Sequence, residues 1–125
     1  MKKKILLIED ESVIVEAITF LLEYEGMEVV AHSDGAGAAR LAADIRPDLI
    51  ILDAMLPNKS GFDIIAEIRS DDSITRTPVM MLTARGQARN REAALDAGVT
   101  RFMSKPFANK EMVETVHALM AARPV

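Results

Sequence analysis

The sequence predicts an α/β fold built on a doubly wound parallel sheet of five strands, and three observations carry that prediction. Short apolar runs alternate with amphipathic stretches five times over, the pattern of strand and helix in turn that buries a parallel sheet between two helical layers. Three of the runs, Ile5 to Ile8, Leu49 to Leu52 and Val79 to Leu82, are uninterrupted, as strands covered on both faces are. The other two carry or adjoin polar residues, Glu28 in one and Thr100, Arg101 and Ser104 around the other. Strands 1, 3 and 4 therefore belong in the centre and strands 2 and 5 at the edges, which is the flavodoxin-like order 2-1-3-4-5.

Each element has a local reason. Strand 1, Ile5 to Ile8, is followed by Ser12 as a candidate N-cap, and then by Val13, Ile14, Ala17, Ile18, Leu21 and Leu22 at helical spacing up to Gly26. Met27 to Ala31 reads as strand 2. Asp34 to Asp44 forms a helix with Ala38, Leu41, Ala42 and Ile45 on one face, and Pro47 stops it before strand 3. Ala54 to Ser60 is rich in turn formers, and a helix from about Gly61 turns Phe62, Ile65 and Ile68 inward. Pro78 precedes strand 4. An alanine-rich helix runs from Gly86 to Ala97 and closes at Gly98, Arg101 to Met103 is strand 5, and Asn109 caps a last helix bearing Met112, Val113, Val116, Leu119 and Met120.

The 125 residues, half apolar and about a quarter charged, suffice for one core that buries roughly two-thirds of the unfolded surface, so residues 1–125 are expected to form a single domain. The absence of cysteine excludes a disulfide scaffold, a thiolate zinc site and a cysteine nucleophile, and suits a reducing compartment. The apolar runs are too short for a signal peptide or a membrane span. A cytoplasmic location without membrane contact is therefore expected. With 15 basic and 19 acidic residues the net charge is −4, which argues against direct binding of nucleic acid. The methionines, such as Met80, Met81 and Met103, fall in strands or on helix faces and read as core filler.

Ligands of such a sheet bind beyond the carboxyl ends of the strands, where strands 1 and 3 part. Strand 1 runs into Glu9-Asp10, strand 3 into Asp53, strand 4 into Thr83, and strand 5 into Ser104-Lys105-Pro106. Three carboxylates, a hydroxyl and an ammonium thus converge on one rim. Like charges so close destabilise one another unless a proton or a cation intervenes. Mg2+ suits the set, since it takes one or two carboxylates together with waters and phosphate oxygens. Lys105 and Thr83 are donors of the kind that offset charge on a transferred phosphoryl group. Any one of the five is more often a plain loop residue or a solvated charge; five together, each just after its own strand, favour a site.

The pair Glu9-Asp10, the segment Asp53-Ala54-Met55-Leu56-Pro57 with Gly61 following, Thr83-Ala84, and the run from Ala97 to Phe107 that contains Ser104-Lys105-Pro106 resemble the receiver domain of bacterial two-component response regulators, over essentially the whole chain. The resemblance implies that Asp53 accepts a phosphoryl group from a sensor histidine kinase or a histidine phosphotransfer protein, forming an acyl phosphate. It implies that Asp10, Asp53 and the backbone carbonyl of Met55 hold Mg2+, with Glu9 supporting the ion through water. Thr83 would move its hydroxyl onto the phosphoryl group, Lys105 would pair with it, and the Lys105-Pro106 bond would be cis. Phe102 stands at the family's aromatic switch position, so phosphorylation is expected to bias a two-state surface made by helix 4, strand 5 and helix 5. The chain would then be a signalling switch, catalysing only its own phosphorylation and slow dephosphorylation, rather than an enzyme with turnover.

No linker, helix-turn-helix or catalytic output domain follows Val125, so output is expected through an unknown downstream protein, or through an output domain of a longer regulator. In the winged-helix branch of the family, acidic residues precede the switch aromatic on a dimer surface; here Thr100 and Arg101 stand there, and a phosphorylation-dependent dimer is left open. Arg85, Arg89, Arg91 and Arg101 read as a solvated face partly paired with Glu92 and Asp96. The stretch Gly35-Ala36-Gly37-Ala38-Ala39-Arg40 is similar to a dinucleotide fingerprint, but Arg40 replaces the third glycine and the turn follows an edge strand, so it reads as a tight helix start. Asp53 after a buried strand also resembles phosphatases of the haloacid-dehalogenase type, which carry a second aspartate where this chain has Met55. The alternative function is a phosphate-independent interaction module, which the presence of all five site residues disfavours.

Overall fold

The computed structural model describes residues 2–84 and 91–121. Five parallel strands, β1 (Lys4–Ile8), β2 (Glu28–His32), β3 (Leu49–Asp53), β4 (Val79–Ala84) and β5 (Arg101–Lys105), form one sheet in the order β2-β1-β3-β4-β5, as the apolar runs require. Between and after them lie α1 (Ser12–Tyr24), α2 (Ala38–Ile45), α3 (Gly61–Ser70), α4 (Arg91–Ala97) and α5 (Asn109–Ala121). Alternation along the strands divides the core in two. Leu6, Ile8, Ile50, Leu52, Val79 and Met81 face Ala38 and Ala42 of α2 and Ile64, Ile65 and Ile68 of α3. Ile5, Leu7, Leu49, Ile51, Met80 and Leu82 face Ile18 and Leu22 of α1 and Met112, Val116 and Leu119 of α5. Each such aliphatic side chain, fully buried, contributes roughly 1.5–3 kcal/mol, which holds the strand ends in fixed register: Ile8 beside Leu52, Asp53 beside Leu82, Thr83 beside Ser104.

Several boundaries differ from the sequence pattern, each for a local reason. Ser12 is the first residue of α1 and not its cap; the N-cap is Glu11, whose carbonyl accepts the Val15 N–H at 3.0 Å. The helix expected from Asp34 starts only at Ala38, because the Asp34 carboxylate takes the Ala36 N–H at 2.8 Å and Gly37 adopts φ +76°, a local turn that competes with helix. Asn109 lies inside α5, whose first turn is closed by the Met112 N–H on the Ala108 carbonyl. In α3 the buried residues include Ile64, while Phe62 is only partly buried. His32 is the last residue of β2, with Nε2 3.0 Å from the Ala36 carbonyl. Positions 86–90 of the expected fourth helix, with Arg85 and Arg89, lie outside the described residues.

One cation ties two loops, the one from α3 to β4 and the one from α4 to β5, on the side away from the acidic rim. Arg69, in the last turn of α3, donates to the carbonyls of Gly98 at 2.9 Å, Thr75 at 2.9 Å and Thr77 at 2.7 Å. Gly98, at φ +108°, leaves room for this, since a Cβ there would lie 3.0 Å from Arg69 Cγ. Arg69→Met, which keeps the aliphatic stem but strands these carbonyls, is expected to lower unfolding stability by about 1–3 kcal/mol. Urea denaturation measures this, and an unchanged midpoint would contradict the role.

Candidate functional site

Asp53 ends the one strand whose five residues are all buried, and its carboxylate is therefore carried to the rim with little water around it. Its Oδ1 accepts the Met55 N–H at 3.1 Å, which starts the turn out of β3, and its Oδ2 lies 3.1 Å from Lys105 Nζ. Glu9, one residue beyond β1, is wholly buried and continues the ladder with its N–H on the His32 carbonyl at 3.0 Å. Its Oε2 accepts the Glu11 N–H at 3.1 Å. Its Oε1 lies 2.9 Å from Lys105 Nζ but outside hydrogen-bonding geometry, so this buried oxygen has an ion-pair contact and no hydrogen bond.

Lys105 reaches all of this from β5. Its ammonium touches Glu9, Asp53 and, at 3.3 Å, Glu11, and the bond that follows it, Lys105-Pro106, is cis. Burial by itself would lower the Lys105 pKa, but the close contacts and negative charges of Glu9 and Asp53 outweigh it and hold the ammonium above its usual range. The Glu9 pKa is raised too: burial, and then the Asp53 carboxylate beside it, push it up to about 7 against the pull of Lys105. Glu11 was not among the residues singled out from the sequence. The only signal for it is the acidic run Glu9-Asp10-Glu11 after strand 1.

Glu9, Asp10 and Asp53 each offer a carboxylate oxygen within 4.8 Å of the others. With Glu11 that makes four carboxylates around a single ammonium among the described residues. Two like unit charges about 4 Å apart repel by about 4 kcal/mol at an effective dielectric of about 20, so one lysine leaves the cluster in deficit of positive charge. An all-oxygen donor set, one of its oxygens buried without a hydrogen bond, fits a hard divalent cation such as Mg2+. Asp10 is exposed and lines an open cleft with the loop Ala54–Ser60 and Asp63, which leaves a solvent path to the carboxylates.

The two remaining residues singled out from the sequence lie on the neighbouring strands. Thr83, in β4, is buried and stands beside Ser104. Phe102, in β5 beside Met81, is half-buried and packs against the core layer that α2 and α3 cover. Thr83 shares the parity of Met81, so Thr83 and Phe102 face one side of the sheet, whereas Asp53 and Lys105 share the parity of Ile51 and Met103 and face the α1 and α5 side. The structure thus gathers the Glu9, Asp10 and Asp53 carboxylates within 4.8 Å of one another, with Lys105 touching Glu9 and Asp53, and with Thr83 and Phe102 on β4 and β5.

A family model for the response regulator receiver domain matches residues 5–117. The phosphate regulon transcriptional regulatory protein PhoB of Escherichia coli is 38% identical over 120 residues, 96% of this chain and 52% of that protein. The DNA-binding dual master transcriptional regulator RpaA of Synechocystis is 38% identical over 117 residues, 94% of this chain and 48% of that protein. The chain thus spans about half the length of the curated relatives it matches. Among solved structures, the receiver domain of the sensor histidine kinase PA1611 from Pseudomonas aeruginosa, which has a magnesium ion coordinated in its active-site cleft, superposes with a TM-score of 0.89 at 32% identity, covering 98% of this chain and 100% of that one. The chemotaxis response regulator CheY4 of Vibrio cholerae superposes with a TM-score of 0.89 at 27% identity, covering 95% and 99%. With a family match over nearly the whole chain, and an acidic rim at the carboxyl end of a 2-1-3-4-5 sheet, the chain belongs to the response regulator receiver domain family.

Proposed function

We propose that this chain is an active phospho-accepting receiver, taking a phosphoryl group onto Asp53 from a phosphohistidine of a sensor kinase or phosphotransfer protein in the cytoplasm. The observation that carries the reading is the buried Asp53 carboxylate, 3.1 Å from Lys105 and ringed by Glu9 and Asp10. In the transfer, an Asp53 oxygen bonds to phosphorus as the N–P bond breaks, and the electron pair returns to the imidazole nitrogen. The product is an acyl phosphate. Asp10, Asp53 and the Met55 carbonyl would hold Mg2+, with Glu9 behind them, and the ion when bound offsets charge on the phosphoryl oxygens. Lys105 does the same from the β5 side, trading its hold on the Asp53 carboxylate for the phosphoryl group.

The signal follows from the loss of that arrangement. Once Lys105 and the Thr83 hydroxyl turn to the phosphoryl group, Thr83 vacates space on its side of the sheet, and the Phe102 ring moves inward. The surface of α4, β5 and α5 then changes its affinity for an output domain or a separate protein. The relatives' names as transcriptional regulators make a DNA-binding output domain the favoured client, reached through protein contact.

Intact mass after incubation with acetyl phosphate and Mg2+ tests the acceptor directly: one phosphoryl group is expected on the native protein, and none on Asp53→Asn or in the presence of chelator. Mass gain on Asp53→Asn would move the acceptor to another residue, and none on the native protein with beryllofluoride also failing to bind would leave the phosphate-independent module. The charge deficit gives a second expectation. Free Mg2+ at about a hundred times its Kd should add about 2.7 kcal/mol of stability, seen as a rise in melting midpoint. Glu9→Gln should raise the midpoint of the metal-free protein and shrink the Mg2+ effect. A midpoint indifferent to both changes would contradict the metal site.

A further inference from the structure

The loop that follows Asp53 is closed at its base by its own backbone but held at its tip by another part of the chain. At the base, the Gly61 N–H reaches the Ala54 carbonyl at 3.1 Å and Ser60 caps α3 through the Asp63 N–H at 3.2 Å. At the tip, Asn58 Nδ2 donates to Asp34 Oδ2 at 2.8 Å, and the Gly35 N–H donates to the Pro57 carbonyl at 3.2 Å. Asp34 and Gly35 belong to the turn between β2 and α2, so these bonds cross between segments far apart in sequence. Gly35 is buried against the loop: a Cβ there would collide with the Lys59 carbonyl oxygen and lie 2.8 Å from Lys59 Cβ. Glycine is needed because only it lets the two backbones approach this closely. Asn58 sits at φ +69°, a conformation that few non-glycine residues hold without local support.

The Asp34 carboxylate is placed for this by its second bond, from the Ala36 N–H at 2.8 Å, and that bond with the one from Asn58 holds its pKa below the usual carboxylate value. A further tie, from Lys59 Nζ to both oxygens of Glu67 at 2.9 and 2.8 Å, anchors the loop to α3. Met55 lies on this loop, in the wall of the cleft that Asp10 also lines. Loop backbone that must present a carbonyl to a metal gains affinity when its shape is fixed beforehand.

We propose that Asp34 is a positioning residue for this loop: working through Asn58, with Gly35 working through Pro57, it keeps residues 54–60 in the shape that lets the Met55 carbonyl meet a divalent cation beside Asp10. This rests on the reading of the metal site given above. Asp34 touches neither the cation nor the phosphoryl group.

The test uses Mg2+ alone, with no phosphodonor, followed by titration calorimetry, alongside amide hydrogen exchange of the metal-free protein. Asp34→Ala and Asn58→Gly, the second keeping the left-handed backbone available, should each speed exchange of the Met55 and Lys59 amides and weaken Mg2+ by about three- to tenfold, the range of a single hydrogen bond acting through a ligand's support. The double variant should be no worse than the weaker-binding single one, since both break one bond, and Asp34→Asn should recover most of the affinity because Asn58 can turn its amide to accept. Unchanged exchange and affinity in Asp34→Ala, or losses that simply add in the double variant, would overturn the bracing. Native protein that took no Mg2+ would instead overturn the metal site itself, and Mg2+ with it as the purpose of the brace.

Discussion

A partly buried ammonium shared among carboxylates is the interaction on which the rest of this molecule turns. Lys105 comes from the edge strand β5 and spans to Asp53 at the end of β3 and Glu9 beyond β1, so one side chain joins the two strands that part at the switch point. It exists only because apolar strands deliver their polar ends to the same rim. Burial that stabilises Ile5 to Ile8 and Leu49 to Leu52 also strips water from Glu9 and Asp53, and charges without water must find each other. The sheet's stability and the site's strain are two sides of one arrangement.

That arrangement is unbalanced, and the imbalance is useful. Burial, and then the Asp53 carboxylate beside it, push the Glu9 pKa up, and one ammonium cannot neutralise Glu9, Asp10, Glu11 and Asp53, which is why an oxygen-seeking cation fits. Strand parity then separates two tasks. Asp53 and Lys105 lie on the α1 and α5 side, where the proposed phosphoryl group would arrive, whereas Thr83 and Phe102 lie on the side of the sheet toward the α2 and α3 layer. In the proposed function, a charge change on one side would be read as a packing change on the other through the strands between them.

Much of this was legible in the sequence, for reasons that also explain what was not. Uninterrupted runs such as Leu49 to Leu52 announce burial on both faces, and Glu28 and Arg101 announce edges, so strand order followed from hydrophobic pattern alone. Asp53, Glu9, Asp10 and Lys105 were legible because each closes or closely follows an apolar strand, and strands in one parallel sheet end on one rim. Helix starts were less so: the Asp34 carboxylate bonds the Ala36 N–H and delays α2 to Ala38, a contest between side chain and backbone that composition does not weigh. Glu11 and the pairing of Asp34 with Asn58 depend on how loops pack across the top of the sheet. No periodicity encodes that. The family resemblance supplied the switch movement of Thr83, legible by itself only as a hydroxyl at the end of strand 4, and the role of Phe102, which carries no chemical pattern of its own.

The central claim is that Lys105 and the acidic rim form a site built to exchange a carboxylate for a phosphoryl group on Asp53. The most direct measurement is a crystal structure of the protein with Mg2+ and beryllofluoride, an analogue of the acyl phosphate. The account predicts density for the fluoride group on Asp53, a cation touching Asp10, and Lys105 Nζ moved from Asp53 onto fluoride. A bare Asp53 with Lys105 still seated between it and Glu9, in crystals soaked to saturation, would contradict it.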